Sequence, residues 1–261
     1  MTVETQRAGL EVRTVGLSAR GHPEISATVS SADLSAGCEH FVRFVAAYVE
    51  GGARIRLGET LRYGYWLTRF EGDEAVLTAW EHDIECAALH SVNLAVRYWK
   101  EQHATCEGAG APFSPPRPDQ LVVVSPGVFE GDPLEGVRYP SPEHMTGWWL
   151  TTARYDGKTE SLRPEHCYHL TARRPDLAPY LALPFGIRPR LVQPSRRERA
   201  SVTLSRANRR PSAARTAPRS SSQILRRSSA HLLRPDWAMK SKRPFESLEG
   251  PLVADPGWVR L

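Results

Sequence analysis

The sequence predicts an α+β domain: a mainly antiparallel sheet packed with two main helices and short C-terminal helices, followed by a disordered basic tail. Three observations carry this expectation. Two stretches repeat apolar residues at helical spacing, several short β-rich runs sit between turn residues, and the character of the chain changes near residue 188. Residues 1–188 hold 18 Lys+Arg against 24 Asp+Glu, a net of −6, whereas residues 189–261 hold 16 against 5, a net of +11. The basic character of the whole chain therefore belongs to the tail.

The elements follow in order. Leu10 to Leu17 alternates loosely and reads as a first strand, with Ile25 to Val29 as a second. From Ser35, the residues Cys38, Phe41, Val42, Val45, Tyr48 and Val49 recur at steps of three and four, which lays one apolar stripe along a helix. Asp33 or Ser35 is placed to cap its start, and Gly51-Gly52 to stop it. Thr60 to Phe70 and Ala75 to Glu81 read as two strands of a hairpin joined by Glu71-Gly72-Asp73-Glu74. In the first of these, Leu61, Tyr63, Tyr65 and Leu67 would share one face, and Arg62, Gly64, Trp66 and Thr68 the other.

A second helix is expected over His90 to Cys106, with Val92, Ala95, Val96 and Trp99 on its apolar side. Gly108, Gly110 and the prolines at 112, 115, 116 and 118 then exclude regular structure and mark a connecting arm. Leu121 to Val124 has the β-branched composition of a buried strand, with Val137 to Tyr139 as its expected pairing partner. Gly147 to Thr152 is the next strand, and because strand side chains alternate, Trp148 and Trp149 must face opposite ways. Tyr155-Asp156-Gly157-Lys158 is a turn, Ser161 and Pro164 the expected start of one short helix, and Pro175 the start of another.

Residues 189–261 contain 14 Arg and 11 Ser with no sustained apolar period, and they read as disordered apart from a short helix near Ile224 to Leu233. Two origins of this tail stand open: a selected basic extension, or a frame-shifted segment of a GC-rich gene. The globular domain is expected to span residues 1–188.

No catalytic signature is present: there is no GxSxG, no phosphate-cradling glycine loop and no dinucleotide fingerprint. The four cysteines lack CxxC spacing and read as scattered reduced thiols. No apolar run has the length of a signal peptide core or a membrane span, so the expectation is a cytoplasmic protein without membrane contact and without a cofactor. The candidates for partner contact are the tryptophans Trp66, Trp148 and Trp149, because tryptophan anchors interfaces as well as cores, together with Asp73 and Glu74 in an acidic run that includes Glu71, Glu81, Asp83 and Glu85. His166 and His169, three apart on the expected helix, could share a metal with His144 as third ligand, a weak pattern with too few local ligands. The tail could hold nucleic acid through phosphate contacts alone.

Several segments carry a resemblance. Phe41-Val42-Arg43-Phe44-Val45, Gly58 to Tyr65, Arg97-Tyr98-Trp99-Lys100, Tyr139 to Trp149, Tyr155-Asp156-Gly157 and Glu165-His166-Cys167-Tyr168-His169 are together similar to the bacterial Imm33-like group, over residues 35 to 188. That group is linked to immunity proteins of polymorphic toxin systems. The resemblance implies a small α+β protein, not an enzyme, that protects its own cell by binding a cognate toxin stoichiometrically. It transfers no functional residues. A metal-dependent enzyme using His144, His166 and His169, and nucleic-acid binding through residues 189–261, are the alternatives.

Overall fold

In the computed structural model, residues 3–83, 85–191 and 203–206 are described. They form two sheets of different content. The first is built from β1 (Glu4–Ala8), β2 (Glu11–Val15), β3 (Glu24–Thr28), β4 (Thr60–Tyr63), β5 (Trp66–Gly72), β6 (Val76–His82) and β7 (Ala88–Leu89), with helix α1 (Ser35–Glu50) between β3 and β4 and helix α2 (Asn93–Gly108) after β7. Its order is β1-β2-β3-β6-β5-β4, with β7 on β6. The second comprises β8 (Leu121–Val124), β9 (Leu134–Arg138), β10 (Met145–Thr152), β11 (Arg163–His166), β12 (Ile187–Leu191) and β13 (Thr203–Arg206) in the order β11-β8-β10-β9-β12-β13, with helix α3 (Cys167–Arg173) after β11. The pairs β3/β6 and β8/β10 are parallel and the others antiparallel, so the α+β expectation holds.

The apolar stripe of α1 is buried as its spacing requires: Cys38, Phe41, Val42 and Val45 are fully covered against Ile25, Ala27 and Val12 of the sheet. Neither Asp33 nor Ser35 caps this helix. A 3-10 turn over Ala32–Leu34 leads into it, and the Ser35 hydroxyl is buried without a partner. Gly52, at φ +97, ends it as expected.

The run Thr60 to Phe70 is two strands, not one. Tyr63 pairs with Trp66 across a two-residue turn opened by Gly64 at φ +58, a conformation that side chains with a Cβ rarely adopt. The reversal changes the phase of the alternation. Tyr63, Trp66, Thr68 and Phe70 all point into the core, and Tyr65 leaves the ladder to meet α3, its hydroxyl 3.1 Å from Thr171 Oγ1. Two further expectations are corrected in the second sheet. Val137 lies in β9, which pairs with β10 and β12 and not with β8. Pro164 lies in strand β11 on β8, so the helix begins only at Cys167. β12 continues to Leu191, three residues past the expected end of the domain. The expectations for residues 192–202 and 207–261, including the helix near Ile224 to Leu233 and nucleic-acid contact by the tail, lie outside the described residues.

Helix α2 ties the first sheet to the segment that follows α3. Gln102 Nε2 donates to Ala178 O at 3.0 Å, and the Cys106 thiol to Ala182 O at 3.5 Å. Its N-terminus is capped from a distance. Glu81, on the core face of β6 after Leu77 and Ala79, accepts Leu94 N at 2.8 Å and Ala95 N at 3.0 Å. Those amides belong to the first turn, whose donors have no partner inside the helix. Burial pushes the Glu81 carboxyl up to about 7, partly offset by these amides and the Ser91 hydroxyl.

This makes a pH prediction. The folded carboxyl holds its proton to a higher pH than the unfolded one, so the protein loses stability as pH rises from about 4.5 to about 7, and the loss is complete above that. In urea unfolding, wild type should fall behind Glu81→Gln across this window by up to about 3 kcal/mol. A difference that does not change with pH would contradict the assignment.

Candidate functional site: the outer face of the second sheet

Strand β10 places its tryptophans in two environments. Trp148 is buried at 1 % exposure and donates its indole N–H to Leu181 O at 2.9 Å. Trp149 is half-buried on the opposite face. The partner strand accounts for this division. Arg138 of β9 stands opposite Trp148 and points inward with it. Its Nε donates to Thr146 O at 2.9 Å, and its Nη1 to Ser114 O at 2.6 Å and Leu183 O at 2.8 Å. The guanidinium lies 5.1 Å from the Phe185 ring centroid and 6.0 Å from that of Trp148. Burial lowers its pKa from the ordinary arginine value.

With Arg138 and Trp148 fixed inward, the register determines what faces outward. Pro164 stands opposite Val123, Val123 opposite Trp149, and Trp149 opposite Val137, giving one apolar row across β11, β8, β10 and β9. Directly opposed residues share a face, and neighbouring strands are about 4.8 Å apart. Tyr139, 47 % exposed, extends the row, its ring 6.5 Å from Trp149 in edge contact. Leu121 and Met145, opposite each other, add half-buried apolar surface beside it. Val123 is 1 % exposed yet lies outside the main core cluster, which takes Val122, Val124, Trp148 and Leu150 from the other face. Leu170 of α3 and Leu177 beyond it belong to that main cluster, so the helical packing is on the inner side. Gly147 permits the close approach of β9: at its φ of +80, a Cβ would lie 2.0 Å from Tyr139 O.

The remaining candidates are placed differently. Trp66 is 7 % exposed and donates to His82 O at 3.3 Å, and with Trp148 it is a core residue; neither is available to anchor a partner. Asp73 and Glu74 are exposed on the β5–β6 turn, where Asp73 Oδ1 accepts Ala75 N and Val76 N at 2.8 and 2.9 Å. The acidic run around them does not form one surface. Glu71 pairs with Arg69, Glu81 is buried, and Asp83 and Glu85 lie at the far end of β6, roughly 20 Å away along seven strand residues.

The histidines do not converge on a metal. His166 ends strand β11 with Nδ1 2.8 Å from Asp119 O, whereas His169 sits in α3 with Nδ1 3.9 Å from Glu165 Oε2. Their rings are 5.8 Å apart and edge-on, and His144 is exposed in the approach to β10. Among the described residues, no group of three or more His, Cys, Asp or Glu side chains is placed to hold a metal ion. Burial pushes the thiols of Cys38 and Cys167 up to about 12 and that of Cys106 to about 11, away from the thiolate a nucleophile needs. Among the described residues, no helix is long and apolar enough to cross a membrane.

The second sheet is also where the chain is similar to known proteins. Residues 101–196 match the Imm33-like domain family. The Imm33-like segment holds the end of α2, strands β8 to β12 and the whole aromatic row, together with the motifs at Tyr139 to Trp149, Tyr155 to Gly157 and Glu165 to His169. Those at Phe41 to Val45, Gly58 to Tyr65 and Arg97 to Lys100 precede it. No curated protein and no solved structure matches the chain.

The two tryptophans should separate in unfolding experiments. Trp148→Ala removes a fully buried indole and its hydrogen bond and should cost about 3–5 kcal/mol, whereas Trp149→Ala should cost about 1 kcal/mol and leave a folded protein. Equal costs would place both rings in the core.

Proposed function

We propose that this protein is an immunity protein that neutralises a cognate toxin in the cytoplasm of its own cell by stoichiometric contact, and that the contact is made by the outer face of the second sheet. The observation that carries the reading is the row Pro164, Val123, Trp149 and Val137 with Tyr139 at its edge, a partly exposed aromatic surface inside the Imm33-like segment. Interfaces take most of their energy from a few aromatic anchors held on a rigid support, and a strand hydrogen-bonded on both sides is such a support. Inhibition by covering the toxin needs no catalytic group.

The test is to co-express this protein with the product of the neighbouring gene, where that gene encodes a toxin, and to measure growth. Wild type and an Asp73→Ala/Glu74→Ala variant should restore growth. Trp149→Ala/Tyr139→Ala should lose at least tenfold in protection while remaining folded. Full protection by the Trp149→Ala/Tyr139→Ala variant would remove this face from the interface, and no protection by wild type would remove the immunity reading.

A further inference from the structure

Among the described residues, the first sheet ends in a strand that is paired on one side only. Among the described residues strand β1 is an edge, and of its five residues only Thr5 is half-buried, the other four being exposed. Helix α1 does not close over it. Between them runs a groove lined by Val3, Glu4, Thr5, Arg43, Ala46 and Glu50. An edge strand offers a row of main-chain donors and acceptors to any added strand.

The hairpin fixes which groups are on offer. The turn Gly9-Leu10 closes on Ala8 opposite Glu11. The closing pair of a two-residue hairpin is hydrogen-bonded, and such pairs alternate along an antiparallel ladder. Glu4, Gln6 and Ala8 thus turn their N–H and C=O toward β2, and Thr5 and Arg7 turn theirs outward. Thr5 and Arg7 also lie opposite Thr14 and Val12, both buried, so their side chains are on the α1 side with Val3.

We propose that β1 pairs antiparallel with β1 of a second copy of this chain, about a two-fold axis at Thr5. Only outward-facing residues can form the hydrogen-bonded pairs, which restricts the register. Centring on Thr5 sets Thr5 against Thr5, Val3 against the second copy's Arg7, and Glu4 against its Gln6. The alternative centred on Glu4 opposes two carboxylates, and the one centred on Gln6 leaves Val3 without a partner. In the chosen register the Arg7 stem covers Val3 and its guanidinium enters the groove at Glu50, whose Oε1 already holds Arg20 at 3.0 Å. Arg43, the basic residue of that groove, is engaged by Glu39 at 2.5 Å. Arg7 donates to its own Gly9 O at 3.0 Å and exchanges that exposed bond for the carboxylate. The Thr–Thr pair is a favourable cross-strand neighbour, and no like charges are directly opposed.

Sedimentation velocity on the full chain over a concentration series tests this. Wild type should reach twice the 29.1 kDa chain mass. Thr5→Pro removes an outward N–H without touching the β1–β2 ladder and should leave a monomer. Arg7→Glu sets a carboxylate against Glu50 and should weaken the dimer at least tenfold, with an unchanged circular dichroism spectrum. A wild type that stays monomeric, or a dimer that Arg7→Glu leaves intact, overturns the proposal. Should Thr5→Pro fail to fold, Arg7→Glu alone decides.

Discussion

A buried guanidinium with no carboxylate partner among the described residues fixes the second half of this molecule. Arg138 cannot shed its charge, and leaving such a group unsatisfied in the interior costs several kcal/mol. Its Nε and Nη1 donate to backbone carbonyls, from Ser114 in the proline-rich arm, Thr146 in β10 and Leu183 before β12. Three separate segments are therefore tied to one side chain. Its register against Trp148 determines which tryptophan is core and which faces outward. A one-residue slip of β9 would exchange the two faces and bring the charge to the surface.

The first sheet also buries an ionisable side chain, in this case as an acceptor of backbone N–H groups. Glu81 is buried beside Leu77 and Ala79 and is satisfied by the amides at the start of α2. Both buried ionisable groups bond backbone groups, and both hold an element that joins the two sheets. Glu81 sets the start of α2, and the later residues Gln102 and Cys106 reach the carbonyls at Ala178 and Ala182. Arg138 holds Leu183 next to that contact. The position of the aromatic row thus depends on two buried polar side chains, Glu81 and Arg138, that apolar periodicity does not mark.

That dependence explains what the sequence reveals and what it conceals. The stripe of α1, the β-branched run at Leu121 to Val124 and the opposition of Trp148 to Trp149 are periodic signals, and each is realised. The phase of an alternation is a weaker signal. Gly64 breaks Thr60 to Phe70 into two strands, and a glycine between aromatic residues at a two-residue spacing was the available cue. On β9 the inward set is Leu134, Gly136 and Arg138, so an arginine occupies a core position that Val137 and Tyr139 would more naturally claim. The acidic run is divided for another reason, because proximity in sequence says nothing about the two ends of a strand. Glu165 to His169 lost its helix start because Pro164 fits an edge strand as readily as a first helical turn.

The resulting picture is a small two-sheet protein whose Imm33-like segment carries a partly exposed aromatic row on a rigid backing. Hydroxyl-radical footprinting of the protein alone and with the proposed toxin partner bound measures the central claim directly. The account predicts strong protection of Trp149 and Tyr139 on complex formation, with Trp66 and Trp148 unreactive in both states and no change at the β5–β6 turn. Protection confined to the first sheet, with Trp149 and Tyr139 as reactive in the complex as in the free protein, would contradict it.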